Sequence, residues 1–286
     1  MEFYSPLRYP GGKNKLAKFI ALVCEKNHIN GHYVEPYAGG ASVALHLLIK
    51  GYVNEITIND LDKSIHAFWY SVLERTDEFC KRIDEAQITV ENWKKQRKIQ
   101  ENKEQADVLD LGFSTFFMNR TNRSGIINGG IIGGTNQEGL YKIDCRFNKK
   151  ELIKRIRLIA DYKEKIHLYG LDALDLIEKV EIENKGKNVI FYFDPPYFLK
   201  GQSLYMNSYE PDNHKEVSER IQKIRNAKWI VSYDNVPQIR VLYKNKAIQK
   251  KRYSFFHTAY SPRIGKEILF FSKGLLVPVV SRPVGL

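Results

Sequence analysis

The tetrapeptide Asp194-Pro195-Pro196-Tyr197 carries residue types that could activate a weakly nucleophilic amine. It follows Val189–Phe193, a continuous apolar run that predicts a strand buried on both faces. Ligands of open α/β sheets bind beyond the carboxyl ends of the strands, which places this aspartate where chemistry occurs. The two prolines lack N–H groups and fix two φ angles, so the turn is stiff and its carbonyls are free to accept hydrogen bonds. Taken alone, the tetrapeptide is equally compatible with a tight surface turn.

The N6 amine of adenine is a poor nucleophile because its lone pair is delocalised into the ring. The Asp194 carboxylate and the Pro195 carbonyl could each accept a hydrogen bond from one of its N–H groups, which would localise the lone pair on nitrogen. Tyr197 offers a ring face on which the base could stack. The tetrapeptide therefore indicates an exocyclic-amine site, and its candidate catalytic residues are Asp194, Pro195, Pro196 and Tyr197.

The stretch Glu35–Ser42, EPYAGGAS, follows a short predicted strand and opens an apolar helix. Its small residues let a ligand approach the backbone, and the N-terminus of the helix offers N–H donors. Asp60 comes 20 residues after Gly40, at the end of the next predicted strand, where a dinucleotide-type fold holds ribose hydroxyls. Together these features favour an adenosine cofactor. A strict G-x-G-x-x-G is absent, which argues against nicotinamide, and Pro10–Asn14 lacks the first glycine and the hydroxyl residue of a P-loop.

Short apolar runs alternate with amphipathic stretches along the chain, a pattern typical of an α/β fold. The run from about Lys63 to Lys149 breaks this rhythm because it is mostly helical and polar and contains the glycine-rich Ser124–Gly134. We interpret it as an insertion between the second and third strands, either a module that meets the substrate or a long helical excursion within one domain. The predicted strands are His32–Glu35, Glu55–Asn59, Lys165–Tyr169, Val189–Phe193, Trp229–Tyr233 and an antiparallel pair near Gln249–Phe256 and Glu267–Ser272.

The 286-residue chain carries 45 basic and 33 acidic residues, a net charge of +12 that attracts polyanions such as nucleic acid. No apolar run approaches the roughly 18 residues of a membrane helix, and the N-terminal MEFYSPLRYPGGK lacks the apolar core of a signal peptide. Cys24, Cys80 and Cys145 lie in no close Cys/His cluster, so we expect free thiols and no metal site. These features predict a cytoplasmic protein that does not enter a membrane.

Four motifs follow one another in an order that resembles the Dam-type DNA adenine-N6 methyltransferases: Arg8–Lys13, Glu35–Gly40, Asn59-Asp60 and Asp194–Tyr197. The match runs from about Pro6 to Ser272. The resemblance implies an α/β fold with a Rossmann-like class I methyltransferase sheet and an inserted, mainly helical target-recognition domain. It implies a catalytic domain over 1–62 and 150–276, the inserted domain over 63–149 and a tail over 277–286.

The resemblance also implies S-adenosyl-L-methionine as the cofactor. Lys13 would meet its methionine end, Asp60 its ribose and Asp172 its adenine, whereas Asp194 would lie where cofactor and target amine meet. The aromatic residue before the glycines is tyrosine in this chain, where relatives often carry tryptophan. The candidate cofactor-binding residues are Tyr9, Lys13, Glu35, Tyr37, Gly39, Gly40, Asp60, Asp172 and Asp194.

Double-stranded DNA is the partner that the resemblance implies, bound by a monomer that flips the target adenine out of the duplex. The segment Phe116–Gly125 resembles the family's Asn-Arg segment, although GATC-reading relatives continue through Phe-Asn-Gly, so the target sequence stays open. Its arginines could contact guanine or phosphate, or one of them could pin the loop. The aromatic-rich loop near Ser203–Tyr209 would close on the target base or only pack. The candidate DNA-binding residues are Arg120, Asn122, Arg123, Tyr205 and Tyr209.

Three other interpretations compete with adenine-N6 methylation of DNA: cytosine-N4 methylation, methylation of an RNA adenine, and a non-catalytic DNA-binding protein with the same fold. Asp194 favours adenine because cytosine-N4 enzymes more often carry serine at this position. A non-catalytic protein would show damage in the cofactor or amine motifs, and none is visible. The setting stays open among a restriction-modification system, a phage and a solitary bacterial enzyme.

Overall fold

The computed structural model describes residues 3–8, 13–184, 188–198, 209–257 and 263–280. These residues form two compact units, which we call the sheet unit and the helical unit. The sheet unit consists of the described residues of Lys13–Leu61 and Lys165–Leu286, and the helical unit consists of residues 3–8 and Asp62–Glu164.

The sheet unit contains a seven-stranded sheet with the order β3-β2-β1-β4-β5-β7-β6. The first five strands pair in parallel, and β7 runs antiparallel between β5 and β6. This arrangement confirms the predicted Rossmann-like class I methyltransferase sheet. The strands are β1 His32–Glu35, β2 Glu55–Asn59, β3 Ile166–Tyr169, β4 Val189–Phe193, β5 Lys228–Asp234, β6 Gln249–His257 and β7 Arg263–Phe271.

Helices cover the sheet and also build the insertion. In chain order they are α1 Ala17–Lys26, α2 Ser42–Ile49, α3 Lys63–Glu74, α4 Thr76–Glu85, α5 Val90–Glu101, α6 Val108–Thr121, α7 Lys149–Ala160, α8 Ala173–Glu183, α9 Pro211–Gln222 and α10 Pro237–Leu242. A 3-10 turn, Lys13–Leu16, precedes α1. Within the described ranges, none of these helices has the length and apolar character needed to cross a membrane.

The centre of the sheet forms the core of its unit. Strands β1 and β4 are buried along their whole length, because helices cover both faces of a central parallel strand. Phe191 and Phe193 of β4 stack with ring centroids 5.4 Å apart and join Val34, Val231 and Phe270 in one apolar cluster. The strand order reverses between β1 and β4, and such a reversal opens a crevice at the carboxyl ends of the strands.

The helical unit is organised around α6, which is buried over nearly its whole length between α3 and α5. An apolar helix of this kind is stable only inside a core, and aromatic rings build that core. Phe116 stacks on Phe68 at 6.1 Å between centroids and meets Phe79 edge-on at 5.8 Å. These elements confirm the prediction of a mainly helical insertion.

The compact units divide the chain differently from the predicted domain boundaries. Residues 3–8 and α7 belong to the helical unit, although both were expected in the catalytic domain. Asn119 of α6 holds residues 3–8 in the helical unit through two hydrogen bonds. Its Oδ1 accepts from the Arg8 N–H at 2.7 Å, and its Nδ2 donates to the Arg8 carbonyl at 3.1 Å. Helix α7 packs on α3 and α4. The functional assignment of the domains stays a prediction.

Candidate active site

Asp194 directly follows β4, at the point where the strand order reverses. Its side chain keeps 17% of its surface exposed. The Ser232 hydroxyl of β5 donates to its Oδ1 at 2.6 Å, and the Lys13 ammonium lies 2.9 Å from each carboxylate oxygen. Two neighbouring elements therefore fix the carboxylate while part of it still faces solvent.

Lys13 opens the 3-10 turn before α1, and only 3% of its side chain is exposed. Its Nζ donates to the Tyr197 hydroxyl at 2.9 Å and lies 3.8 Å from Glu267 Oε2. Burial disfavours the charged form of Lys13, but Asp194 and Glu267 outweigh burial and raise its pKa. The ammonium is therefore a fixed positive charge under the DPPY turn.

The remaining residues of the tetrapeptide are buried. Tyr197 is 4% exposed, and its hydroxyl donates to Glu267 on β7. No described residue donates a hydrogen bond to the Pro195 carbonyl, which leaves this acceptor open. The turn ends at Phe198, whose N–H donates to Asp234 Oδ1 at 3.1 Å. Stacking of Tyr197 on a base stays a prediction, and it requires a face of this buried ring to be uncovered.

Three polar residues of this site carry no motif and were missed by sequence reasoning: Ser232, Asp234 and Glu267. Ser232 and Asp234 interrupt or end the mainly apolar β5, whereas Glu267 follows Gly265 and Lys266 in β7 and precedes its apolar part. A polar residue that is 0% or 1% exposed, as Ser232 and Glu267 are, needs hydrogen-bonding partners, because an unpaired buried polar group is costly. The isolated polarity of Ser232 within β5 was an available signal, whereas the charged sequence before Glu267 gave none.

The predicted glycine loop lies between β1 and α2. Gly39 adopts a φ of +47°, a left-handed conformation that favours glycine. Its N–H donates to Asp60 Oδ2 at 3.0 Å, so the carboxylate that follows β2 is held against the loop. Glu35 is buried and accepts from the Ala44 N–H of α2 at 3.1 Å and from the Tyr33 hydroxyl at 2.9 Å. Burial raises the pKa of Glu35 to about 8.

Asn59 joins the ends of three strands. Its Nδ2 donates to the Pro36 carbonyl after β1 at 2.9 Å and to the Leu171 carbonyl after β3 at 3.0 Å. Its Oδ1 accepts from the Leu171 N–H at 2.9 Å. Asp172 caps α8 by accepting from the Leu174 N–H at 2.8 Å. The predicted cofactor residues Gly39, Asp60 and Asp172 thus follow β1, β2 and β3 at one edge of the sheet.

Tyr209, a candidate DNA contact, lies beside the candidate cofactor residue Tyr37. Their hydroxyls are 2.8 Å apart, and the rings meet edge-on with centroids 6.1 Å apart. Burial raises the pKa of both phenols, and the charge of Asp172 raises both further. The predictions for Tyr9 and Tyr205 concern positions outside the described residues.

The helical unit contains a cluster of arginines around Arg120. Burial lowers the pKa of Arg120, and Arg8, Arg155 and Arg146 lower it further. Its Nε donates to the Arg146 carbonyl at 2.7 Å and its Nη1 to the Pro6 carbonyl at 3.5 Å. In the described part of the chain, Arg8, Arg120 and Arg146 form no ion pair with a carboxylate. Arg120 therefore both pins the chain and contributes to a concentrated positive charge.

Asn122 and Arg123 follow α6 in different environments. Asn122 is completely buried, accepts from Trp93 Nε1 at 2.6 Å and donates to the Ile127 carbonyl at 2.7 Å. Arg123 is exposed. The next residues turn at Gly125, whose φ is +74° and whose α-carbon packs so closely on the Arg8 carbonyl that a Cβ would lie 1.9 Å from its oxygen. Contacts of Asn122 and Arg123 with DNA stay predictions, and Asn122 supports this loop.

The sheet and the strand-end carboxylates define an enzyme of the Rossmann-like methyltransferase class. A model of the family described as D12 class N6 adenine-specific DNA methyltransferase matches residues 9–255, and the chain belongs to this family. It is accordingly an adenine-specific DNA methyltransferase.

Two individual proteins are similar to this chain. The type II methyltransferase M.MjaIII of Methanocaldococcus jannaschii is 24% identical over 272 residues, which cover 87% of this chain and 91% of that protein. The solved structure of the rRNA methyltransferase aviRa from Streptomyces viridochromogenes aligns with a TM-score of 0.37 and 10% identity, over 89% of this chain and 83% of that one.

Proposed function

We propose that this enzyme transfers the methyl group of S-adenosyl-L-methionine to N6 of a flipped adenine in duplex DNA. The observation that carries the proposal is the Asp194 carboxylate, which Lys13 and Ser232 hold at the end of β4 beside an open Pro195 carbonyl. These are the two acceptors that an exocyclic amine needs.

The residues at the ends of β1, β2 and β3 fit an adenosine-containing methyl donor. Asp60 is fixed against the Gly39 N–H and suits ribose hydroxyls, while Tyr37 and Asp172 suit the adenine end. Lys13 suits the methionine carboxylate, for which it would exchange part of its contact with Asp194. The donor supplies an electrophilic methyl group on its sulfonium.

Asp194 and the Pro195 carbonyl would each accept a hydrogen bond from the target amine. The localised lone pair would be positioned to attack the sulfonium methyl in line; the methyl carbon–sulfur bond would break to release the thioether S-adenosylhomocysteine, and the surplus amine proton would pass to solvent. Positioning and fixed charges supply the rate enhancement in such a reaction. Because a stacked base cannot bring its amine to the site, the base is flipped out of the duplex.

The helical unit is proposed as the target-recognition domain. Its arginines Arg8, Arg120 and Arg146, which form no ion pair with a described carboxylate, concentrate positive charge, which suits the phosphates of DNA. The exposed Arg123, which follows α6, adds one further positive charge to this unit. The similarity to a type II methyltransferase favours a role in a restriction-modification system, and we propose a cytoplasmic monomer.

Incubation of unmethylated duplex DNA with the protein and deuterium-labelled S-adenosylmethionine tests this function. Nucleosides from the digested DNA are separated by mass spectrometry, with an RNA of the same sequence as a parallel substrate. We expect labelled N6-methyladenine from DNA. Labelled N4-methylcytosine, label confined to RNA, or no label in any product would refute the proposal.

A further inference from the structure

Glu267 is a buried carboxylate that no sequence motif explains. It lies in β7, the antiparallel strand next to β5, and is only 1% exposed. Its Oε1 accepts from the Tyr197 hydroxyl and its Oε2 from the Tyr253 hydroxyl at 2.5 Å. Both oxygens thus have phenol donors. An ionisable residue held this deeply requires such partners, because a buried charge is otherwise costly.

The contacts of Glu267 determine where the Tyr197 proton points. The Tyr197 oxygen accepts from Lys13 at 2.9 Å, so its single O–H group is directed to Glu267. Without this acceptor, the phenol would turn its proton toward another oxygen in the cluster. A carboxylate oxygen of Asp194 is one such acceptor, because Asp194 contacts the same Lys13 ammonium. Glu267 therefore keeps the phenol from competing for Asp194.

Charge in the cluster supports the same conclusion. Lys13 lies 2.9 Å from Asp194 and 3.8 Å from Glu267, so one ammonium stands between two carboxylates. Among the described residues, Asp194 accepts side-chain hydrogen bonds only from Lys13 and Ser232. A carboxylate offers about four lone-pair sites, so acceptor capacity for an amine is retained.

We propose that Glu267 is a positioning residue for methyl transfer. It holds the Tyr197 phenol and the Lys13 ammonium so that Asp194 keeps an acceptor oriented for the target amine. This inference rests on the proposed role of Asp194 and adds the residue that orders its surroundings. Glu267 acts through Tyr197 and Lys13 and does not itself touch the substrate.

The variant Glu267→Gln tests the proposal because it replaces two acceptors by one acceptor and one donor. We expect its single-turnover methyl-transfer rate, at saturating DNA and cofactor, to fall at least about tenfold, as misplaced reacting groups cause. Cofactor affinity, measured by calorimetry without DNA, should change much less. A wild-type transfer rate in Glu267→Gln overturns the proposal.

A double-mutant cycle with Tyr197→Phe separates positioning from a merely structural role. If Glu267 acts through the Tyr197 hydroxyl, Glu267→Gln causes a clearly smaller loss of rate in the Tyr197→Phe background than in the wild type, because only its action through Lys13 remains. Independent, multiplying losses would overturn the proposal. If Glu267→Gln does not fold, the methyl-transfer rate of Tyr197→Phe tests the proposal. We expect this variant to transfer the methyl group more slowly than the wild type. A wild-type rate in Tyr197→Phe would then overturn the proposal.

Tyr243→Phe is the matched control. Tyr243 is fully buried in the core cluster of the same unit, and its hydroxyl finds no hydrogen-bonding partner among the described residues. Its removal should leave the transfer rate unchanged. Failure of the wild-type protein to form N6-methyladenine would refute the proposed function, whereas full activity in the variants would refute only the role of Glu267.

Discussion

Clustered charges are stabilised in opposite ways in the two units. In the sheet unit, the buried Lys13 ammonium contacts the carboxylates of Asp194 and Glu267, and each carboxylate also accepts from a hydroxyl group. In the helical unit, Arg8, Arg120 and Arg146 lie near one another, and among the described residues only backbone carbonyls and an asparagine contact them through hydrogen bonds.

The charge pairing in each unit indicates the kind of ligand that the unit suits. A cluster of opposite charges needs no further counter-ion, so it can orient groups and still leave an acceptor site for a ligand. A cluster of like charges is stabilised by an incoming anion, which supplies the missing opposite charge. These charge patterns support the proposals that the sheet unit positions the reacting groups and that the helical unit binds the phosphates of DNA.

The largest expected effect is on the stability of the paired cluster. Lys13→Met leaves two buried carboxylates without their cation, which should lower the free energy of unfolding by roughly 3–5 kcal/mol. Urea denaturation measures it, with Lys179→Met as the control, because the Lys179–Glu183 pair lies on the surface of the same unit. If both variants unfold at the same urea concentration, the sheet cluster is not stabilised as described.

Glu35 should make the stability of the sheet unit depend on pH. Its folded-state pKa of about 8 lies above the ordinary glutamate value of about 4.3, so the folded state holds the proton more tightly. The stability that protonated Glu35 contributes is complete below the ordinary glutamate pKa and is lost as the pH rises through the folded-state pKa. Glu35→Gln cannot titrate, so we expect it to match the wild type near the lower value and exceed it above the higher one. Parallel unfolding curves at every pH would contradict this.

The arginine cluster should appear in the salt dependence of DNA binding. Arg120→Gln removes one guanidinium, so the slope of log affinity against log salt should become smaller in magnitude by about 1 if it neutralises one phosphate. Arg97→Gln is the control in the same unit, because Arg97 is exposed and paired with Glu101. Equal salt slopes for Arg120→Gln, Arg97→Gln and wild type would remove the cluster from the DNA interface.

The smallest effect concerns Tyr209, which the structure places beside Tyr37. Tyr209→Phe removes one hydroxyl contact of 2.8 Å, so cofactor affinity should fall by roughly threefold to tenfold, as loss of a single hydrogen bond causes. DNA affinity should stay at the wild-type value. Weaker DNA binding with unchanged cofactor binding would contradict this and would support the sequence-based prediction that Tyr209 contacts DNA.

Local patterns were sufficient to predict the central strands. His32–Glu35 and Val189–Phe193 both occur as predicted, and the second is an uninterrupted apolar run, which leaves few alternatives to a buried parallel strand. Asp194 was also predictable, since it stands at the end of such a strand in a distinctive tetrapeptide. Its assignment as a catalytic residue stays a prediction that the measurements above address.

The contacts that the sequence did not predict join distant parts of the chain. Tyr197 and Glu267 are 70 positions apart, and Lys13 and Asp194 are 181 positions apart. Local sequence patterns do not specify such pairs. The same reason explains α7, whose amphipathic sequence requires a core without indicating whether the sheet or the other helices supply it.

Asp194→Ala provides the most direct test of the central claim that this carboxylate orients the target amine. Cofactor binding is measured by calorimetry, and methyl transfer to duplex DNA is measured with isotope-labelled cofactor on the same preparation. We predict that cofactor binding stays measurable while formation of N6-methyladenine is nearly abolished. Full methylation by Asp194→Ala would contradict the account.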